Sequence, residues 1–367
     1  MSWNRTAPLR IAQVAPLWES VPPKLYGGTE RVVAYLTEAL VAQGHDVTLF
    51  ASGDSVTSAK LVATTPRALR LGGCADGIAL HLAMLEEVYR RRSEFDVVHF
   101  HVDYLHFPIT QREHITHVTT LHNRLDVADL MPLFHDFEGM PLVSISDSQR
   151  APLPHATWVR TVHHGLPIDI HRPGRGGDYL AFLGRICPEK GIVAAIEIAK
   201  RSHMPLRIAA KIGEQDRAYH EREVMPLLAD PLVEFVGEIG ERGKQEFLAG
   251  ARALVFPIDW PEPFGMVMIE ALACGTPIIA FPRGSVPEIV EHGVTGFLCD
   301  DVDEAVRAVA RVPELSREVC RAAFERRFTA DRMARDYVEV YRRLIDARRD
   351  HPDRGPLLHS SDQLPRG

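Results

Sequence analysis

Two short stretches of the chain carry residue types suited to handling charge at a phosphate or a sugar. In the first, YLAFLGRICPEKG from Tyr179, an apolar strand ends at Gly184-Arg185, and Lys190-Gly191 stands at the start of the helix that follows. Two fixed cations then converge with the N–H groups of a helix N-terminus, an arrangement suited to a diphosphate. An arginine and a lysine at an ordinary surface βα turn would look the same, so this stretch alone leaves both readings open. The second stretch is PEPFGMVMIEALACG, Pro261–Gly275. Its helix is expected to start near Gly265, and a 3.6-residue period puts Val267, Glu270, Ala271 and Cys274 on one face, so Glu270 points into an apolar surface. A carboxylate buried there needs partners. The two vicinal hydroxyls of a ribose would satisfy both of its oxygens, and so would a core arginine or a backbone N–H. Glu262, held between Pro261 and Pro263, stays outside the helix and can accept from sugar hydroxyls. It can equally be a glutamate favoured by the helix dipole alone. Phe264, Gly265 and Met266 follow with N–H groups at the helix start, aimed where a hexose or phosphate could sit.

The elements that must position these residues repeat a strand–helix alternation. At 367 residues the chain exceeds the usual reach of one core, and two domains of about 150 to 200 residues are expected. Arg10–Ala15 and Asp46–Ser52 read as parallel strands. The helix between them, with Val32, Val33, Leu36 and Leu40 at helical spacing, begins directly after Gly27-Gly28, with Thr29 as N-cap and Gly44 just past its end. Strands follow at Asp96–His101, His117–His122 and Leu142–Ile145. Ligands of open parallel sheets meet the carboxyl ends of the strands, which places His101, His122 and Ser146 where a ligand would be met. The Pro- and Gly-rich Pro167–Gly177 reads as an interdomain linker. Beyond it strands are expected at Tyr179–Leu183, Leu206–Lys211, Val233–Val236, Ala253–Pro257, Pro277–Phe281 and Gly296–Cys299. The predicted division is therefore an N-terminal domain over 1–170, a C-terminal domain over 171–331, an amphipathic helix near 332–349 returning to the first domain, and a loose tail over 350–367.

Composition removes several function classes. The 42 Lys+Arg against 49 Asp+Glu give a net charge of −7, which argues against a nucleic-acid binder. Cys74, Cys187, Cys274, Cys299 and Cys320 form no C-x-x-C pair, and no signal-peptide stretch precedes Arg10, so a reducing, cytoplasmic setting is expected. No run approaches the roughly 18 apolar residues of a membrane span. His99/His101, His114/His117 and His163/His164 lie in or beside strands without the H-E-x-x-H spacing, and no metal is expected. Asp301-Val302-Asp303 looks like a D-x-D metal motif but precedes a helix, where Asp is a routine cap. G-x-G-x-x-G is absent after the first strand, against a nicotinamide-dependent oxidoreductase. Leu80–Arg92 is amphipathic and ends in Arg90-Arg91-Arg92, which could face anionic lipid or simply cap a solvated helix.

G-R-x-x-x-E-K-G at Gly184–Gly191, followed by E-P-F-G-x-x-x-x-E at Glu262–Glu270, resembles glycosyltransferase family 4. Gly27-Gly28, His101 closing D-V-V-H-x-H, His122 in T-L-H, Gly165 in H-H-G and the stretch Gly284–Gly296 resemble its further marks, so the likeness runs from about Ile11 to Phe328. It implies an α/β GT-B fold: two Rossmann-like doubly wound domains facing across a cleft, the C-terminal one holding a nucleotide-sugar donor and the N-terminal one the acceptor. It further implies a retaining, metal-independent hexosyltransferase in which Arg185 and Lys190 hold the diphosphate, with a contact from the Gly28 N–H. Glu270 would take the ribose and Glu262 the donor hexose. His101 would contact the sugar near the reacting centre, His122 would lie on the acceptor side, and Gly237 in F-V-G would mark the base pocket. UDP-glucose is the expected donor, GDP-mannose its alternative, and the acceptor a small molecule, glycan or lipid-linked group. Lys211-Ile212-Gly213 and Asn123-Arg124-Leu125 depart from the family's glycine-rich turns, which leaves base pocket and acceptor less defined. The rival readings are a GT-B sugar-nucleotide epimerase or phosphorylase, and a non-catalytic nucleotide-sugar-binding protein.

Overall fold

A computed structural model describes residues 7–24, 27–113 and 115–350; His114 and the tail beyond Asp350 lie outside these. The chain divides into two compact units, one of Met1–Gly165 with Ala330–Gly367, the other of Leu166–Thr329.

The first unit is built on a parallel sheet of β1 (Arg10–Val14), β2 (Asp46–Ser52), β3 (Lys60–Thr65), β4 (Val97–Phe100), β5 (His117–Thr120), β6 (Leu142–Ser144) and β7 (Trp158–Thr161). Their order is β3-β2-β1-β4-β5-β6-β7, so the strand order reverses at the parallel β1/β4 pair. β1, β2 and β4 are almost wholly buried, the mark of parallel strands covered on both faces. The helix Gly28–Ala42 begins one residue earlier than expected. Gly27, not Thr29, is its N-cap, and Thr29 lies inside the first turn. A Cβ on Gly27 would come within 2.8 Å of Pro23 Cβ, so tertiary contact rather than capping chemistry sets this start. Gly44 just past the end has φ +85, as the sequence indicated.

The closing helix Ala330–Asp350 is part of the first unit and is fastened by a polar network inside the core. His99, in the middle of β4, lies with Nδ1 2.8 Å from the Tyr341 hydroxyl and Nε2 2.7 Å from Thr120 Oγ1. The Thr120 hydroxyl in turn meets the Tyr337 hydroxyl at 2.8 Å, and Gln13 Nε2 donates to Tyr341 at 3.0 Å. Burial holds His99, His101 and His106 well below the usual imidazole value and pushes His117 down to about 4 and His122 to about 3. These imidazoles are neutral when folded and titrate near 6.5 when unfolded, so the unfolded chain binds more protons once the pH falls below 6.5. Their contribution to stability is complete above pH 6.5 and falls progressively as the pH drops through about 4, the folded-state value of His117, to about 3, that of His122. The unfolding temperature should therefore drop steeply between those values, as a calorimetric pH series would show; a flat profile would contradict the buried neutral network.

The second unit carries β8 (Leu180–Arg185), β9 (Leu206–Lys211), β10 (Val233–Gly237), β11 (Ala253–Phe256), β12 (Ile278–Ala280) and β13 (Gly296–Leu298), in the order β10-β9-β8-β11-β12-β13, again all parallel. Its core gathers Leu180, Phe182, Ile196, Ile208, Val255 and Phe297. The Pro- and Gly-rich segment read as a linker is fastened to this unit: Gly174 N–H donates to the Cys274 carbonyl (3.1 Å), Gly176 N–H to that of Ala249 (3.2 Å), and Arg317 Nε to the Gly174 carbonyl (2.8 Å). Asp301 caps the helix Val302–Arg311, accepting from Glu304 N–H at 2.8 Å.

Candidate functional site

In the second sheet the order reverses at the β8/β11 pair, and in open parallel sheets the crevice beyond such a pair is where ligands bind. Arg185 is the last residue of β8, and Pro257–Glu262 follow the end of β11. After Arg185 the chain makes a tight 3-10 turn over Pro188–Lys190 and enters the helix Ile192–Arg201 through Gly191, at φ +72. A Cβ on Gly191 would lie 1.9 Å from the Pro257 carbonyl oxygen, so the two segments touch through a glycine. Asp259 N–H donates to the Glu189 carbonyl at 2.9 Å, closing the contact.

This juxtaposition brings the charged residues together. Lys190 Nζ donates to Glu262 Oε2 and stands 4.9 Å from the centre of the Trp260 ring. Trp260 Nε1 donates to the same Glu262 oxygen at 2.9 Å. Arg185 Nη2 donates to Glu189 Oε1 at 3.3 Å, and its Nε lies 3.2 Å from Asp216 Oδ2, an ionic contact without hydrogen-bond alignment. Both cations are only part-buried, so a ligand can reach them, while Glu262 is 8% exposed. Glu189, Asp216 and Trp260 did not emerge from sequence reasoning. Glu189 and Trp260 lie in or beside the quoted motifs, whereas Asp216 arrives from the loop after β9 with no signal of its own.

The helix Met266–Ala273 is capped by Gly265 at φ +77, close to the expected start. Glu270 is 3% exposed, as the helical period required. A countercharge comes from a separate segment: Lys244 Nζ lies 2.7 Å from Oε1. Phe264 is buried, with its carbonyl accepting from Ser285 Oγ at 2.8 Å, so its ring serves packing. Gly237 closes β10 at φ +86, where the pairing with β9 shifts register.

In the first unit, Gly27 and Gly28 open a helix whose first turn carries the buried Glu30. Burial raises the pKa of Glu30, and the neighbouring Glu19 raises it further. Arg70 pairs with Glu19 at 3.0 Å. His101 lies just past β4 and is 2% exposed. Both of its ring nitrogens are engaged, Nε2 2.8 Å from Gln13 Oε1 and Nδ1 2.9 Å from His122 Nε2. His122 is the less buried of the two and stacks on His164 at 5.3 Å. Asp103, two residues past His101, has a left-handed backbone (φ 50) and accepts from Asn123 Nδ2 at 3.1 Å; burial pushes its carboxyl up to about 6. The arginine run after Tyr89 is neutralised pair by pair: Arg90 with Glu86 (2.9 Å), Arg91 with Glu94 (2.7 Å) and Arg92 with Glu113 (3.3 Å). Each arginine of the run thus has an acidic partner, and among the described residues no helix is long and apolar enough to cross a membrane.

Residues 26–156 match the family model Glycosyltransferase Family 4, and residues 169–326 match Glycosyl transferases group 1. A glycogen synthase of Mycobacterium tuberculosis is 29% identical over 385 residues, covering 88% of this chain and 91% of the relative. A D-inositol 3-phosphate glycosyltransferase of Mycobacterium avium is 30% identical over 249 residues, covering 60% of this chain and 56% of that one. Among solved structures, a glycosyltransferase involved in avilamycin A biosynthesis is 27% identical with a TM-score of 0.71, over 92% of this chain and 98% of that chain. The two parallel α/β units are those of a GT-B fold, and the chain belongs to the family-4 type of glycosyltransferases. It is therefore a glycosyltransferase, and the nicotinamide reading falls away.

Proposed function

We propose that the chain transfers a hexose from a nucleoside diphosphate sugar to an acceptor hydroxyl with retention of anomeric configuration and without a metal. UDP-glucose is the first donor to test and GDP-mannose the second. The observation that carries this reading is the Arg185–Lys190–Glu262 group at the β8/β11 reversal, two part-exposed cations beside a carboxylate and an indole.

Breaking an anomeric C–O bond leaves negative charge on the diphosphate and positive character on the sugar. Stabilising the leaving group is the main electrostatic task, and two fixed cations ahead of a helix N-terminus can perform it. In this reading Lys190 exchanges Glu262 for a phosphate oxygen, and the released Glu262 carboxylate accepts from a hexose hydroxyl. Arg185 turns from Asp216 and Glu189 to the same diphosphate. Glu270 takes the ribose, and backbone groups near Gly237 and Phe264–Met266 read the base and the donor. The departing phosphate oxygen accepts the proton of an acceptor attacking from the same face, so no enzymic nucleophile is needed. The first unit supplies the acceptor side, with His122 the histidine best able to meet a ligand and His101 orienting it. Gly27-Gly28 adds backbone N–H groups at a helix start.

The test is donor consumption with and without candidate acceptors in excess EDTA, with the product anomer read by NMR. Acceptor-dependent, EDTA-insensitive turnover with retention is expected. Turnover without any acceptor would favour an epimerase or phosphorylase, and nucleotide binding without turnover on a broad acceptor set would favour a non-catalytic binder.

A further inference from the structure

The buried carboxylate of Glu270 is met by a lysine from a separate segment. Lys244, on the helix Glu241–Ala249, places Nζ 2.7 Å from Glu270 Oε1 and 3.5 Å from Glu241 Oε2, with its side chain only 16% exposed. His171 Nε2 lies 3.5 Å from the other Glu241 oxygen. Ligand-type atoms of His171, Glu241 and Glu270 all fall within 4.8 Å of one another, a grouping that could surround a divalent cation. The cation in this cluster is instead the chain's own ammonium. A metal ion would have to displace Lys244 or share two carboxylates with a positive charge a few ångströms away, and the repulsion is strong where water is excluded.

We infer that Lys244 is a positioning residue for the donor: it holds one oxygen of Glu270 and so keeps that carboxylate ionised and turned to accept the ribose diol. This rests on the assignment of Glu270 to the ribose. A carboxylate as buried as this one keeps its charge only beside a countercharge. An ammonium donating to Oε1 supplies that and takes one of the roughly four acceptor positions of an ionised carboxylate. Glu241 shares the ammonium from the first turn of the same helix and limits how far Nζ can wander. The arrangement lets the site recognise a ribose by charge-assisted hydrogen bonds without a metal.

Calorimetric titration with UDP and with 2′,3′-dideoxyuridine diphosphate separates the roles, with GDP and its dideoxy counterpart as a second pair. The proteins are the wild type, Lys244→Met, Lys244→Arg and Glu270→Gln, each with its unliganded unfolding temperature recorded. Wild type should prefer the ribonucleotide by about tenfold or more, the worth of hydrogen bonds to a charged group. In Lys244→Met the preference should shrink to about twofold while dideoxynucleotide affinity holds, and Lys244→Arg should recover part of it. Glu270→Gln should lose the preference as well. Should Lys244→Met keep the full preference while Glu270→Gln loses it, the inference fails and the ribose assignment stands. An equal loss of affinity for both nucleotides in Lys244→Met would also overturn it, since that marks general damage. A preference that survives Glu270→Gln would overturn the ribose assignment itself, and the role of Lys244 with it.

Discussion

Replacing Arg185 or Lys190 by alanine should lower turnover by about 10²–10³-fold, the usual effect of removing one preorganised donor from a developing oxyanion. The two cations stand on opposite sides of one short turn, Arg185 closing β8 and Lys190 just ahead of the helix Ile192–Arg201. Neither holds the core together, since both side chains are part-exposed and contact other charged groups of the site. The folded state should therefore survive, and the loss should appear mainly in kcat if the contacts tighten as the leaving group takes up charge. Lys190→Ala has a second consequence, because Glu262 loses its cation and keeps Trp260 as a donor. Steady-state kinetics beside an unfolding measurement checks both points. Near-normal turnover in either variant would remove that residue from the leaving-group site.

The second large effect is expected at Gly284, which makes no chemical contribution. Its φ is +59, and a Cβ there would lie 2.3 Å from the backbone nitrogen of Glu262 and 2.4 Å from its carbonyl oxygen. Ser285 N–H donates to that same carbonyl at 2.9 Å, so the segment before the Met266–Ala273 helix is pressed onto the loop after β12 with no room for a methyl group. Gly284→Ala has to overcome a left-handed backbone, about 1–2 kcal/mol, and then push Glu262 aside. A loss of about 3 kcal/mol or more of stability is expected, with a fall in turnover larger than the unfolded fraction explains. Gly28→Ala is the contrasting case. Among the described residues, apart from its chain neighbours and the backbone of its own helix, no atom comes within 4 Å of its Cβ position, so that variant should be stable, and lost activity there would report on the close approach of a ligand. Unchanged stability in Gly284→Ala would contradict the contact.

Much of the site was legible because it depends on short-range periodicity. Strand ends located Arg185 and His101, and the helical spacing from Gly265 buried Glu270 where the structure has it. The partners of these residues were not legible, since each comes from elsewhere in the chain. Lys244 lies in a polar stretch that reads as a solvated helix, yet its ammonium is the countercharge of Glu270. Asp216 reaches Arg185 from the loop after β9, and Gln13 and His122 take both nitrogens of His101. Two sheet-edge strands also escaped. β3 is half-exposed and lacks a continuous apolar run, and β7 has just four residues, of which only Val159 is buried. Edge strands are defined by the neighbour they pair with more than by their own pattern.

Thermal unfolding of the purified chain with UDP, GDP, ADP, their sugar conjugates and NAD, each with and without EDTA, tests the central claim most directly. A nucleotide at about 100 times its Kd adds roughly 2.7 kcal/mol of stability, a shift of several degrees. A nucleotide site built on Arg185, Lys190, Glu262 and Glu270 predicts a rise with one base only, unaffected by EDTA and lost in Arg185→Ala. A folded protein whose unfolding temperature is moved by none of these nucleotides, or moved equally in Arg185→Ala, would contradict that site.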